Sequence, residues 1–524
     1  MLRLVPPSLP LSLRHLSQNK RSTIVSFARM ASSFAAAFGL KDEGLLQTKG
    51  YIAGRWRDAL DGATISVSNP ATGEEIGTVP EMGVKETQEA ITAAQDSFKA
   101  WKRTTAKRRH DLLMKMYALM QEHSDDLAKI LGSPTLENGK TLNDAKAEIT
   151  YSSSFIEWFA EEAVRTYGET IPAPVPGIRN VTVMQPVGVC AILTPWNFPS
   201  AMITRKLGPA LAAGCTVVVK PPPETPFSAL ALVELARRAG FPDGVINFVT
   251  TMKNVGEVGK ELCENTIVRK VTFTGSTAVA KLLYSMSAST MKKISFEAGG
   301  NSPFIVFDDA DIDAAVEGAA LCKYRASGQT CVCANRIYVH SSVYAEFASR
   351  LAAKVATFKV GSGLDKETTH GPLIHDRAIK KVEEHVADAV GKGAQVLIGG
   401  SRLEGPGSFF APTILSDVPP NVRLSNEETF GPVAALIKFE TEEEVLKLAN
   451  DTQYGLAGYF YSRDIGRVWR VAEALEVGMV GANTGMISSA VIPFGGVKES
   501  GLGREGAHGI QEYMQTKLIA FGGV

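Results

Sequence analysis

The chain has six cysteines in 524 residues and no Cys-x-x-Cys pair among them, which leaves out zinc ribbons and thioredoxin-like redox motifs. A protein of this size does not depend on disulfide staples, so a reducing compartment is expected. No apolar run approaches the ~18 residues needed to cross a bilayer, and no membrane partner is expected. Lysine plus arginine balance aspartate plus glutamate at 55 each, so no overall field draws the chain to nucleic acid. Low-complexity linkers and evident repeats are also missing, and from about Tyr51 the sequence reads as one continuous folded body.

A local absence marks the N-terminus. No acidic residue precedes Asp42, whereas Arg3, Arg14, Lys20, Arg21 and Arg29 stand among serine and leucine. That composition over residues 1–40 predicts a targeting presequence and a place in the mitochondrial matrix. "MASSF" at Met30 offers a second start, which would remove most of the basic segment and leave a cytoplasmic protein.

What is present is a hydrophobic content of 45%, enough for a large core divided among two or three domains. Ile91, Ala94, Phe98 and Trp101 recur at three- and four-residue steps and predict an amphipathic helix. A helical pattern from Arg109 towards Lys146 is interrupted by Gly132, Ser133 and Pro134, where a break or bulge is expected. The middle then alternates. "GVCAILT" (Gly188 to Thr194), "CTVVVK" ending at Lys220, "GVINFVT" (Gly244 to Thr250), "VRKVTFTG" and "KKISFEAGG" read as strands, with helices over Pro226 to Gly240 and from Ser276. Strand and helix in alternation predict a parallel sheet covered on both faces, with ligands beyond the carboxyl ends of the strands. Those ends are "TPWN", "KPPPETP", "FTGST" and "FEAGG". Gly275 would let the backbone approach a pyrophosphate at a helix start. A single glycine is not the three-glycine dinucleotide fingerprint, so the pattern gives a site without naming its ligand.

"SGQTCVCANR" holds Cys331 and Cys333 one residue apart. A metal site, a disulfide and a nucleophile are the chemical readings, and two small packed residues the plain one. Cys322 and His340 do not fall at a zinc spacing, so no metal is expected, and His340, His370 and His375 lie in no recognisable cysteine-hydrolase motif.

The wider context of that segment shifts the balance. "FEAGGNSP", containing Glu297, precedes "GQTC", and with "TPWNFP", "FTGST", "EETFGP" and "PFGGVKESGLGRE" the chain from about Gln47 to its C-terminus resembles the aldehyde dehydrogenase superfamily. The resemblance implies an α/β protein with two doubly wound parallel-sheet domains and a small β oligomerisation element. Residues 47–167 and 187–296 would form the dinucleotide-binding domain and 297–504 the catalytic domain. Residues 168–186 and 505–524 would pair strands between subunits of a homotetramer. It implies Cys331 as the nucleophile that forms a thiohemiacetal and then a thioester, Asn197 as an oxyanion donor and Glu297 as the base that activates water. A catalytic thiolate calls for a lowered pKa. Trp196, Lys220, Gly275, Ser276, Glu428 and Phe430 would hold NAD or NADP. Many NAD-preferring members carry glutamate three residues after the lysine; here Pro223 stands there and Glu224 follows.

"ITRKLGPALAAGCTVVVKP", "SPFIVFDDADID", "GQTCVCANR" and "LAGYFYSRD" look like the branch of the family that oxidises succinate semialdehyde, the last step of 4-aminobutyrate breakdown. A substrate with a far carboxylate calls for fixed cations, and the resemblance gives that role to Arg205 and Arg325, with Ser488 adding a hydroxyl. Glutarate semialdehyde or a neutral aldehyde is the rival substrate, and a silent binding protein on the same scaffold is the rival class. Cys333 is expected either to pack or to serve as a redox partner that traps Cys331 in a disulfide.

Overall fold

The structure is a computed structural model, and it describes residues 39–132, 137–363 and 365–523. Apart from Gly39 and Leu40 the expected presequence lies outside the described residues, as do Ser133 and Pro134.

The alternating middle forms an eight-stranded sheet. Five parallel strands run in the order Ile246–Phe248, Thr216–Lys220, Val189–Leu193, Val268–Thr274 and Lys293–Glu297. Gly50–Ile52, with Arg55–Arg57 outside it, closes one edge antiparallel, and Gly501–Leu502 closes the other. Alternate side chains of a strand point to opposite faces, and here they feed separate cores. Cys190, Ile192, Val217 and Val219 pack with the helices Ala106–Glu122, Leu142–Ala163, Pro199–Ala213 and Pro226–Ala239. Val189, Ala191, Leu193 and Val218 pack with Val84–Trp101 and Thr277–Ser287 on the other side. Burial on both faces explains why these strands read as unbroken apolar runs.

The second sheet has seven strands, ordered Gln395–Ile398, Thr413–Ser416, Val433–Phe439, Ala334–His340, Ser302–Val306, Ala457–Tyr461 and Met479–Ala482, all parallel but the first. It too divides two cores, with Phe304 and Ile337 on one face and Ile305 and Tyr338 on the other. The α/β class with two doubly wound sheets is therefore as expected. Thr170–Ile171, Ile178–Pro186 and Met514–Gly522 form a separate antiparallel sheet, on which Leu518 and Phe521 are exposed.

The break expected at Gly132 is present, and a second one precedes it. The pattern from Arg109 ends at Leu131 with Gly132 as cap, but it has already broken at His123, whose φ of −99° and ψ of 17° leave the helical region. Ser124, Asp125 and Asp126 then begin a new helix, with the two acids favourably placed in its first turn.

Candidate active site

The strand ends of the first sheet converge on the loop that carries Cys331. After Val189–Leu193 the chain passes through Trp196 and Asn197 before entering Pro199–Ala213. The Asn197 amide nitrogen donates to the Gln329 carbonyl at 3.1 Å, which ties it to the cysteine loop, while its oxygen accepts from the Phe198 N–H. An amide nitrogen has two hydrogens, so one N–H remains for another acceptor. The Asn197 carbonyl accepts from the Lys140 amine at 2.8 Å, and that amine is paired with Glu148 at 2.5 Å. Glu148 also accepts the Ser200 and Ala201 N–H groups at the mouth of the helix, where a negative charge meets the positive end of the helix dipole.

The loop before Cys331 is wound against its preference. Ala326 (φ 50°), Ser327 (φ 56°) and Gly328 (φ 76°) are all left-handed, and each non-glycine residue there costs about 1–2 kcal/mol. Ser327 donates its hydroxyl to the Gly371 carbonyl, and the Gln329 side-chain oxygen accepts from the Ile374 N–H, which fixes the turn. A Cβ on Gly328 would lie 2.2 Å from the Gly431 carbonyl oxygen, so the loop packs directly on the segment that carries Glu428 and Phe430.

Glu297 ends its strand buried, with neither carboxylate oxygen hydrogen-bonded. It faces the Cys331 thiol, whose affinity for a proton it raises, while the thiol in turn favours the ionised Glu297. Burial and then Glu297 push the Cys331 thiol well above its ordinary value, with Arg205 opposing. Burial and then Glu505 push the Glu297 carboxyl up, with Arg205 opposing. The expectation of a lowered thiol pKa is thus corrected. A thiol beside a buried carboxylate cannot readily become a second anion.

The residues expected on the cofactor side surround the same strand ends. Lys220 closes its strand, and its amine makes no ion pair or hydrogen bond among the described residues; burial lowers its pKa, opposed by Glu224 and Glu81. Ser276 caps Thr277–Ser287 without a side-chain hydrogen bond, leaving the N–H groups of that helix mouth open. The buried hydroxyls of Thr194 and Thr274 also lack partners. Gly275 is needed for a second reason, since a Cβ there would meet the Phe273 ring at 2.4 Å. An unpaired amine, an open helix mouth and unpartnered hydroxyls at strand ends fit the phosphates and hydroxyls of a dinucleotide. Glu428 accepts from the Gly300 N–H, and burial carries its pKa up to about 7. Phe430 meets Trp196 edge to face with centroids 5.5 Å apart. Among the described residues no group of three His, Cys, Asp or Glu side chains could hold a metal ion.

The two arginines separate. Arg325 and Ser488 line one cleft with Thr330, Val332, Met486 and Ile487; Arg325 lies over the Phe198 ring at 5.1 Å and has no carboxylate partner among the described residues. Arg205 is 1% exposed, stacked on Phe494 at 4.1 Å, with its Nε 2.6 Å from Glu505 and its Nη2 without a hydrogen bond. Cys333 is buried and its thiol points to the Lys323 carbonyl at 3.1 Å; both thiols are free.

Several residues of the site carried no role in the sequence. Glu505 sits in the quoted C-terminal motif yet reaches back to pair with Arg205 and Lys206. Lys140 and Glu148 hold Asn197. Only their positions in a buried network identify them, and polar residue type alone gave no signal.

Comparisons with known proteins show the family. The model of the aldehyde dehydrogenase family matches residues 56–519. A glutarate-semialdehyde dehydrogenase of Pseudomonas putida is 58% identical over 481 residues, covering 92% of this chain and 99% of the relative. The NADP(+) succinate-semialdehyde dehydrogenase of Escherichia coli (strain K12) is 55% identical over 484 residues, covering 92% and 99%. The crystal structure of a succinate-semialdehyde dehydrogenase from Burkholderia pseudomallei superposes with a TM-score of 0.90 at 57% identity, covering 92% of this chain and 99% of that one.

Proposed function

The chain belongs to the aldehyde dehydrogenase family, and from that premise we propose that it oxidises succinate semialdehyde to succinate with NADP or NAD. The observation that carries the substrate is Arg325, a guanidinium without a carboxylate partner among the described residues, beside Ser488 in a cleft that borders Cys331 through Thr330 and Val332. A free arginine fork holds a carboxylate with two parallel hydrogen bonds. Arg205 adds positive charge and an unbonded N–H from the buried side.

The chain's own groups supply the acid–base and covalent steps. As the Cys331 sulfur bonds to the aldehyde carbon, its proton passes to the Glu297 carboxylate. The oxygen anion of the thiohemiacetal takes the free N–H of Asn197 and the backbone N–H of Cys331. Such a donor is worth roughly 3 kcal/mol of barrier. When bound, the nicotinamide accepts hydride from that carbon. Glu297, with its proton returned to solvent, takes a proton from water as the water oxygen attacks the thioester carbon and the Cys331 thiolate leaves.

Lys220, Gly275 and Ser276 would hold the adenosine and pyrophosphate end of the cofactor, and Glu428 the nicotinamide ribose, with Trp196 and Phe430 near the ring. The absence of a glutamate at position 223 supports use of NADP, and the relative from E. coli carries NADP(+) in its name. The sheet made by Ile178–Pro186 and Met514–Gly522 would join subunits into a homotetramer, its exposed Leu518 and Phe521 covered there. No helix among the described residues is long and apolar enough to cross a membrane, and the basic N-terminal composition supports the mitochondrial matrix.

The relative from P. putida favours a second substrate, glutarate semialdehyde, one methylene longer. Initial rates with succinate semialdehyde, glutarate semialdehyde and a neutral aldehyde of similar length, each with NAD and NADP, decide between them. The highest kcat/KM for succinate semialdehyde is expected; equal or faster turnover of the neutral aldehyde would overturn the carboxylate seat.

A further inference from the structure

His385 is completely buried on the helix Asp376–Gly391, away from the reacting groups. Both its ring nitrogens are engaged. Nδ1 lies 3.2 Å from the Thr429 hydroxyl and Nε2 3.2 Å from the Glu427 carboxylate. A carboxylate only accepts, and Arg423 holds Glu427 ionised by pairing with both of its oxygens and lowering its pKa. The His385 proton therefore sits on Nε2, and Nδ1 accepts from Thr429. Burial lowers the pKa of the imidazole, in keeping with that neutral form.

The two partners flank Glu428. Glu427 is extended, with φ −118° and ψ 140°, and side chains alternate along an extended segment. Glu427 and Thr429 turn to the helix, while Glu428 meets the Gly300 N–H and Phe430 meets Trp196. Phe430 is itself left-handed at φ 57°, a conformation that persists only where neighbours over-determine it.

We propose that His385 is a positioning residue for the cofactor, its neutral imidazole clamping Glu427 and Thr429 so that Glu428 and Phe430 are presented to the nicotinamide half of the dinucleotide. This inference rests on the cofactor reading above. Losing both hydrogen bonds loosens the segment, and the ligand must then order it on binding. The aldehyde side, built on Arg325 and Ser488, lies on other loops, to which His385 makes no hydrogen bond among the described residues.

Calorimetric titration of the full chain with NADP, alongside steady-state kinetics, tests it. His385→Leu is expected to raise the Kd and KM for NADP about ten-fold, with the KM for aldehyde unchanged. His385→Gln, which keeps a donor for Glu427, should recover most of the affinity, and Thr429→Val should lose part of it. An unchanged Kd in His385→Leu while Glu428→Gln weakens NADP would overturn the clamp. If Glu428→Gln also leaves the Kd unchanged, the cofactor reading has failed instead. Should His385→Leu not fold, wild-type Kd values in both His385→Gln and Thr429→Val would support the first substitution and contradict the second, and only a weakened Thr429→Val sustains the proposal.

Discussion

Two buried glutamates in this molecule have the same side chain and nearly the same exposure, yet opposite surroundings. Glu148 is 0% exposed and accepts from Lys140, Ser200 and Ala201. Glu297 is 2% exposed and no hydrogen bond from the described residues reaches either of its oxygens. Desolvating a carboxylate without partners is costly, and folding alone would remove it. The first glutamate is explained by the fold it holds together. The second makes sense only through the thiol it faces and the water it would activate, so partnerless burial distinguishes chemistry from architecture more sharply than residue type does.

Substitutions at each glutamate sharpen the contrast. Glu297→Gln should lower kcat by about 10²–10⁴-fold without lowering the melting temperature, measured by steady-state kinetics and calorimetry. Glu148→Leu should do the reverse first, costing about 3–5 kcal/mol of stability because Lys140 is left buried and uncompensated, read from chemical denaturation. Arg325→Ala removes a cation that has no carboxylate partner among the described residues. The KM for succinate semialdehyde should rise about 10–100-fold from loss of ~1.5–3 kcal/mol, while a neutral aldehyde of like length is unaffected; an unchanged ratio between the two would break the assignment.

The smallest effect is a pH dependence. Glu428 has a folded pKa raised from 4.5 to about 7, so it binds its proton more tightly folded than unfolded. The stability this gives is complete below pH 4.5 and is lost as pH rises to about 7. Glu428→Gln, permanently neutral, should therefore gain a few degrees in melting temperature over the unsubstituted protein as pH rises through that window, and show no gain below it.

Much of this was legible in the sequence because it is local. "VCAIL", "TVVVK" and "KISFE" announce buried strands by being apolar throughout, and the polar residues that end them mark the rim of a cleft. Gly275 was legible as a required glycine, though the Phe273 ring demands it as well as any phosphate. The break at His123 was hidden because the apolar period continues across it. Glu505 and His385 were hidden for a deeper reason. Their partners, Lys206 and Thr429, are distant in sequence, and only the closed fold brings such groups together.

The antiparallel strand Gly501–Leu502 beside Glu297 also bears on how the chain is made. Strand Lys293–Glu297 is synthesised long before its neighbour, and at 5–20 residues per second about 10–40 s separate the two on the ribosome. During that interval the sheet has an open edge at the position of its future base, a template for pairing with any other strand. A nascent chain is thus open to aggregation at the place where the finished enzyme does its work, and a truncation that removes Gly501 and Leu502 leaves that edge open for good.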